Sequence, residues 1–429
     1  MELREGSRTL AYVAVMLALV DVAAAELLPG GVELPRFEKI ATGTRVNTTL
    51  LDSDGLFWLG SQTGPTKHNG YTFEHFVAGP SSITSNYVNA LYQDRDGLIW
   101  IGTVSGLSVY DRRTGRFTTY LHDPSDPHSI SNDTITNFML QAILEDRSGR
   151  IWIGTERGLN RFDRSSGGQF TRFHADPDDT SSLLDDWVSA IIEDSEGFLW
   201  IGTRGGLSRL DRTSKTFTHF QSDPTDPGTI GHNSLVGLLE DREKNLWITS
   251  VGGGLSILPP GSDRFVRVQY DPDDWRPDGI SSNQLMNVFS DSYSAIWVVS
   301  LGGDLNRYDD KQRRFTVYRH RPGFRNSISK TPYIGGMIED SDGAVWIAVA
   351  ATGLDRYDRD TDTFTHFRHE PGNPQELARV LRTGRLRRRG RHLVAHIRQL
   401  DYQARSPDGR GHCRISGGEL AAVARRRCS

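Results

Sequence analysis

Cysteine is nearly absent: the 429 residues hold two, Cys413 and Cys428, both close to the C-terminus. The long body before them must fold without a disulfide framework or a thiolate metal site. Long apolar runs are missing too. Beyond the first 25 residues none approaches the roughly 18–20 needed to span a bilayer, which excludes a polytopic helical membrane protein. Lysine vanishes near the end: the last 54 residues contain fourteen Arg and no Lys, Phe or Trp. Over the whole chain aromatics are plentiful, with nine Trp, 13 Tyr and 18 Phe in a sequence that is 36% hydrophobic. That composition excludes a disordered chain and requires a substantial core. The formal net charge of −4 hides an asymmetry, an acidic body followed by a basic tail from residue 376.

The N-terminus has the layout of a secretory signal peptide. Arg4 and Arg8 precede an apolar stretch from Leu10 to Val22, broken by Asp21, and Ala23-Ala24-Ala25 supplies the small residues of a cleavage site. Residues 1–25 are therefore expected to direct export, with an uncleaved anchor helix as the alternative. The rest is expected to be periplasmic or secreted, after a leader over 26–36.

Seven tryptophans recur in matching contexts: Trp58, Trp100, Trp152, Trp200, Trp247, Trp297 and Trp346, spaced by 42, 52, 48, 47, 50 and 49 residues. Around them the text repeats, as in YQDRDGLIWIGT, LEDRSGRIWIGT and IEDSEGFLWIGT. Each copy continues with a Gly-rich turn, a piece such as GLNRFDRSSG, and an alternating F-T-x-F piece. In the fourth copy the pattern predicts strands over 188–194, 199–203, 206–211 and 217–220. Asp-x-x-Gly suits a tight hairpin with Gly at positive φ. Four short strands cannot bury both faces of their sheet alone, but packing such sheets radially does so. The expected fold is all-β, a β-propeller of seven four-stranded blades over residues 37–369. Phe37–Ile40 resembles a stray outer strand that could help close the ring, although 364–367 already fills that role.

The string [IL]-E-D-x-x-G-x-[LI]-W-[IL]-G-T-x-x-G-L-x-R-[YFL]-D, followed by F-T-x-[FY] and loops such as DPSDPHSIS (123–131) and DPTDPGTIG (223–231), resembles the two-component regulator propeller family. The resemblance covers residues 37–369. It implies the periplasmic sensor portion of a bacterial signalling protein, ordinarily followed by further blades, an immunoglobulin-like module, a transmembrane helix and a histidine kinase or diguanylate cyclase. No such output module follows in this chain. Copies five to seven drift, with Thr249-Ser250, Val299-Ser300 and Ala348-Val349 in place of Gly-Thr, which predicts loosened turn packing.

Residues 370–429 depart from the repeat and read as a basic or out-of-frame tail. Arg387–Val394 can be encoded so that reading one base later yields D-A-E-G-D-T-W, the repeat's own signature, with its Trp 47 residues after Trp346. A genuine Arg-rich tail that binds anionic surfaces is the competing reading.

Little in the sequence points to chemistry. Gly252-Gly253-Gly254 sits at a blade turn and does not open a helix, so it is not a phosphate loop. The Asp-rich loops (Asp123/Asp126, Asp176/Asp178/Asp179, Asp223/Asp226, Asp271/Asp273/Asp274) lack an EF-hand spacing and match ordinary turn chemistry. His122, His174, His219, His320, His366 and His369 recur at the blade rim, on different blades, so they are not expected to converge on zinc. No Ser-His-Asp or paired-carboxylate signature stands out. No catalytic residue, metal or cofactor is expected.

Binding is better supported. The position fourteen residues before the signature Trp enters the innermost strand at one mouth of the channel and reads Asn86, Asp186, Asn233 and Asn283. These groups could converge on a ligand, or cap turns. Trp187 and Trp275 fall outside the repeat register beside these loops, and exposed aromatics next to Asn and Asp suit sugar rings. Core packing is the competing role for each Trp. The expected function is an extracytoplasmic ligand-sensing propeller, the input region of a two-component-type receptor. Its expected partners are a small-molecule or saccharide ligand and cognate signalling modules, with no nucleic acid; a homodimer is compatible with the sequence. A secreted protein-interaction scaffold and a propeller lyase or lactonase are the alternatives.

Overall fold

The computed structural model describes residues 46–54, 56–68, 73–136, 142–273, 279–331, 334–339, 343–349 and 353–367. The signal peptide, the leader, Phe37–Ile40, Trp275, His369 and the tail over 370–429 lie outside the described residues. The chain divides after Val380, and every described residue falls in the first unit.

The described residues form 28 strands, numbered β1 to β28, in seven four-stranded antiparallel sheets, each built from four consecutive strands. The innermost strands are β1 (Val46–Leu51), β5 (Val88–Gln93), β9 (Ile143–Glu145), β13 (Val188–Glu193), β17 (Leu235–Glu240), β21 (Leu285–Ser290) and β25 (Ile334–Glu339). Innermost strands of the first six sheets lie side by side in succession, and β25 of the last sheet lies beside β1 of the first. This is the β-propeller expected from the repeat. In the fourth blade β13 is followed by β14 (Leu199–Thr203), β15 (Leu207–Asp211) and β16 (Thr216–Phe220), each within one residue of expectation.

Position within the blade explains the composition of each strand. The second strand is covered on both sides by neighbouring sheets, so all five residues of β14 are buried. The outermost strand β16 has one wet face and keeps its alternation. The cores lie between sheets. Trp152 of blade three packs with Leu199, Ile201, Leu210 and Phe217 of blade four, and Trp100 of blade two packs with Ile151, Phe162 and Phe170 of blade three. Trp58, Trp100, Trp152 and Trp297 are essentially fully buried, and truncating such a residue typically costs about 3–5 kcal/mol.

The glycine of W-I-G-T is explained by the same packing. A Cβ on Gly154 would sit 2.7 Å from Val188 Cγ1, and one on Gly102 would sit 2.6 Å from Ile135 Cγ2, so only glycine lets the next blade approach. Blade five carries Thr249 there, and its cross-strand partner is Gly237. A Cβ on Gly237 would lie 2.8 Å from Thr249 Oγ1, so the small residue has moved to the facing strand. The turn is not loosened. Ser250 Oγ donates to the Gly254 carbonyl at 3.0 Å, as Thr103 Oγ1 does to that of Gly106 at 2.8 Å. In blade six Ser300 Oγ meets Ser281 Oγ at 2.8 Å. The expected loosening is therefore corrected for blade five.

The D-x-x-G-x-x-W signature is a hydrogen-bonded unit. In blade four Asp194 Oδ1 accepts the N–H groups of Glu196 (3.0 Å) and Phe198 (2.8 Å), while Oδ2 accepts Trp200 Nε1 at 2.7 Å. Asp52, Asp94, Asp146, Asp241 and Asp291 hold their own Trp indoles in the same way, at 2.7–2.9 Å. The turn glycines Gly97, Gly149 and Gly197 have φ between 81° and 92°, whereas blades five and six place Lys244 (67°) and Ser294 (66°) in that left-handed position.

Four of these units are also tied to the blade that follows them. The Arg of the D-R dipeptide after the third strand reaches back to the preceding blade's Asp. Arg112 meets Asp52 at 2.8 Å, Arg164 meets Asp94 at 2.6 Å, Arg212 meets Asp146 at 2.7 Å and Arg359 meets Asp291 at 2.7 Å. All four carboxylates are fully buried. The Glu ending the innermost strand joins in: Glu145 accepts the Arg95 N–H at 2.7 Å and Glu193 accepts that of Arg147 at 2.6 Å. Blades one, five and six carry Gly70, Pro260 and Asp310 where blades two, three, four and seven have this Arg.

Candidate functional site

The innermost strands start at one face, and the residue before each start marks the channel mouth. The carbonyls of Tyr87, Thr134, Trp187, Ser234 and Gln284 accept the N–H groups of Val104, Glu156, Arg204, Val251 and Leu301, at 2.8–3.3 Å. This repeated pairing places the five residues equivalently, one per blade. Among them Trp187 is half-buried, and the Arg204 guanidinium lies 3.3 Å from its ring centroid. Its backbone N–H is held by Asp185 Oδ1 at 2.8 Å. Arg204 itself is exposed. A guanidinium over an indole face is a cation–π contact, and it keeps the in-plane N–H donors free to point along the surface. The equivalent Tyr87 takes a 3.3 Å hydrogen bond from Gln62 Nε2 on its hydroxyl.

Asn86, Asp186, Asn233 and Asn283 sit one position earlier. Each is engaged by the backbone entering from the previous blade. Their Oδ1 atoms accept the N–H groups of Ala78, Ala175, Ser222 and Tyr270, each at 2.7 Å. Asn283 also donates from Nδ2 to the Tyr270 carbonyl at 2.8 Å. The structure thus distributes these four around the mouth, with the side-chain oxygen of each in a capping bond. Asp133 of blade three does the same for His122, at 2.6 Å. The fourteen-residue rule misses it because blade three is longer between Asp133 and Trp152, although Ser-Asn-Asp at 131–133 parallels Thr-Ser-Asn at 84–86. The loop that carries Trp275 is not described.

The other candidates resolve into local structure. In the acidic loops Asp123 Oδ1 accepts the Ser125 hydroxyl at 2.6 Å and Asp223 Oδ1 accepts that of Thr225 at 2.7 Å. Those hydrogen bonds hold both carboxyls below the ordinary carboxylate range. Among the described residues no group of three or more His, Cys, Asp or Glu is placed to hold a metal. His122 Nδ1 meets the Ile130 carbonyl at 2.8 Å and His320 Nδ1 that of Ile328 at 3.1 Å, on separate blades. Ser329, His366 and Asp355 have the composition of a hydrolase triad but the wrong geometry. Ser329 Oγ (2.9 Å) and Asp355 Oδ1 (2.6 Å) both meet Nδ1 of the same imidazole, whereas a proton relay uses the two opposite ring nitrogens. Asp355 instead accepts the Ser329 N–H at 2.6 Å, as Asn160 does for Ser131 at 2.8 Å.

Fold and mouth define a β-propeller with a polar, aromatic-bearing entrance. Residues 82–105, 133–157 and 182–205 match the two component regulator propeller family, so the resemblance read from the repeats holds in these three segments. No match is found among curated proteins. Among solved structures the chain is similar to the extracellular domain assigned to the hybrid two component system BT4673 of B. thetaiotaomicron, at 20% identity and a TM-score of 0.42, covering 77% of this chain and 49% of that one. It is similar to PorZ, a surface component of the type-IX secretion system of Porphyromonas gingivalis, at 15% identity and 0.53, covering 83% and 50%. It is also similar to virginiamycin B lyase of Staphylococcus aureus, at 14% and 0.50, covering 73% and 94%. The chain spans about half the length of the two component system domain it matches.

Proposed function

We propose that this chain is the extracytoplasmic, ligand-sensing input propeller of a two-component-type bacterial receptor, acting without catalysis of its own. The family match in three repeats supports the signalling assignment. The observation that carries ligand sensing is Trp187 at the mouth, half-buried under Arg204, in the one position per blade where innermost strands open to solvent. A ligand seated there touches several blades at once. It can therefore bias their relative arrangement, and with it any attached module, by its differential affinity for the two arrangements. A saccharide fits the chemistry, since an indole packs against the CH face of a sugar while Arg204 and the neighbouring Asp and Asn groups meet its hydroxyls. Residues 1–25 would export the chain, and the output would reside in cognate signalling modules.

The test is a saccharide panel read by intrinsic tryptophan fluorescence on the full chain. A saturable change for at least one sugar is expected, reduced at least tenfold in affinity by Trp187→Ala and by Arg204→Ala. A saturable change that survives both substitutions together with Trp275→Ala would sink the assignment of the mouth.

A further inference from the structure

We propose a second ligand site, at the outer rim between blades six and seven, that takes a small organic oxyanion: a carboxylate, sulfate ester or phosphate ester on an apolar or ring-shaped body.

The loop at 321–328 follows β24 (Arg314–Tyr318) and has sister loops at 123–130, 176–183 and 223–230. Their backbones are alike. The N–H at the fourth position donates to the first carbonyl in all four, at 3.0–3.3 Å (Asp126 to Asp123, Asp179 to Asp176, Asp226 to Asp223, Phe324 to Arg321). A Ser or Thr hydroxyl at the seventh position accepts the first N–H at 2.8–3.0 Å. The loop therefore needs no particular side chain at its first and fourth positions beyond this scaffold. The sisters place Asp at both. Here they are Arg321 and Phe324, and Arg325 follows, so two acids have given way to two cations around an aromatic ring.

A second difference lies beneath the loop. In the sisters at 123–130 and 223–230, an arginine from the next blade's outermost strand fills the hollow. Arg172 donates to the carbonyls of Ser129 and Asp126, both at 2.7 Å, and Arg267 to those of Thr229 (2.7 Å), Asp223 and Asp226 (both 2.8 Å). Arg172 lies opposite Asn160 in register, Arg267 opposite Ser256, and His366 opposite Asp355. The sister at 176–183 also has a histidine here, His219 opposite Ser208, and His366 meets Ser329 and Asp355. Beside this loop lies a cavity of about 540 Å³, lined by Arg319, Arg321, Arg325, Phe324 and Asp362 among others.

The charges in the cavity are unbalanced. Arg319 is held by Asp304 at 2.9 Å. Asp362, the acid in the lining, accepts the Tyr318 and Tyr357 hydroxyls, each at 2.6 Å, and lies 3.3 Å from Arg307, so it is turned to other partners. Arg321 and Arg325 make no ion pair among the described residues, and Phe324 is 68% exposed. Two guanidinium forks suit a planar or tetrahedral oxyanion, and the open phenyl ring suits the body that carries it.

The experiment measures binding of phenyl phosphate, phenyl sulfate and benzoate to the full chain by calorimetry, with inorganic phosphate beside them and NaCl fixing the ionic strength. Saturable binding of at least one aryl oxyanion is expected, with the preferred probe identifying the head group. Arg321→Ala with Arg325→Ala should weaken it at least tenfold. Phe324→Ala should weaken the aryl probe about fivefold while leaving inorganic phosphate unchanged. Unaltered thermal unfolding of these surface variants separates loss of the site from loss of the fold. Absence of saturable binding, or affinity retained in the double variant, would overturn the proposal. Neither result bears on the mouth, because Trp187 lies on blade four.

Discussion

Replacing Arg212 with methionine removes the cation that joins blades three and four and keeps most of its aliphatic contact. Arg212 meets Asp146 at 2.7 Å and Glu193 at 2.5 Å, and those side chains are 0% and 6% exposed. Removing one partner of a buried pair strands the other and typically costs about 3–5 kcal/mol. Arg212 keeps 19% of its side chain exposed, and Asp146 retains its bonds from Ser148, Arg150 and Trp152. The expected cost at pH 7 is therefore lower, about 2–3 kcal/mol, read from urea unfolding followed by tryptophan fluorescence. Burial pushes the Asp146 carboxyl up, but the bonds from Ser148, Trp152, Arg150 and Arg212 outweigh it and hold the group below its ordinary value of 3.8. A carboxyl depressed in the folded state contributes stability above its unfolded pKa and loses it as pH falls through the folded one. The cost of Arg212→Met should thus be full at neutral pH and shrink in acid as Asp146 takes up a proton. A cost below about 1 kcal/mol at pH 7, or one as large in acid as at neutrality, would refute the reasoning.

Two further substitutions probe the same architecture. Lys244→Gly removes a left-handed lysine whose strain is about 1–2 kcal/mol and adds the chain entropy of glycine, about 0.5–1 kcal/mol; a net gain of about 0.5–1 kcal/mol should appear as a higher urea midpoint. Gly154→Ala should cost about 1–3 kcal/mol by pushing Val188 away, and adding Val188→Ala should recover part of that loss in the same unfolding assay.

What the sequence disclosed depended on how far apart the interacting residues lie. The strands of blade four were legible to within a residue because Asp194, Gly197 and Trp200 interact within one hairpin. The tie between Arg212 and Asp146 was not, since it spans 66 residues, although the recurring D-R dipeptide was in view. At the mouth, the spacing of Asn86, Asp186, Asn233 and Asn283 was visible. The backbone amides they hold were not, because those belong to the loop arriving from the previous blade. The cavity beside Arg321 was hidden for another reason. Its lining joins Thr316 and Tyr318 of β24 to Asp362 and Phe364 of the next blade as well as to the loop itself.

The direction of the ties has a consequence for how the chain is assembled. Asp52, Asp94, Asp146 and Asp291 are each synthesised well before the arginine that completes them, and that arginine always belongs to the next repeat. A chain emerging N-terminus first can finish a blade's surroundings only when the following blade has appeared. For these four pairs assembly is thereby given a forward order, in which blades two, three, four and seven each secure their predecessor, and the contact between β25 and β1 waits for the whole array.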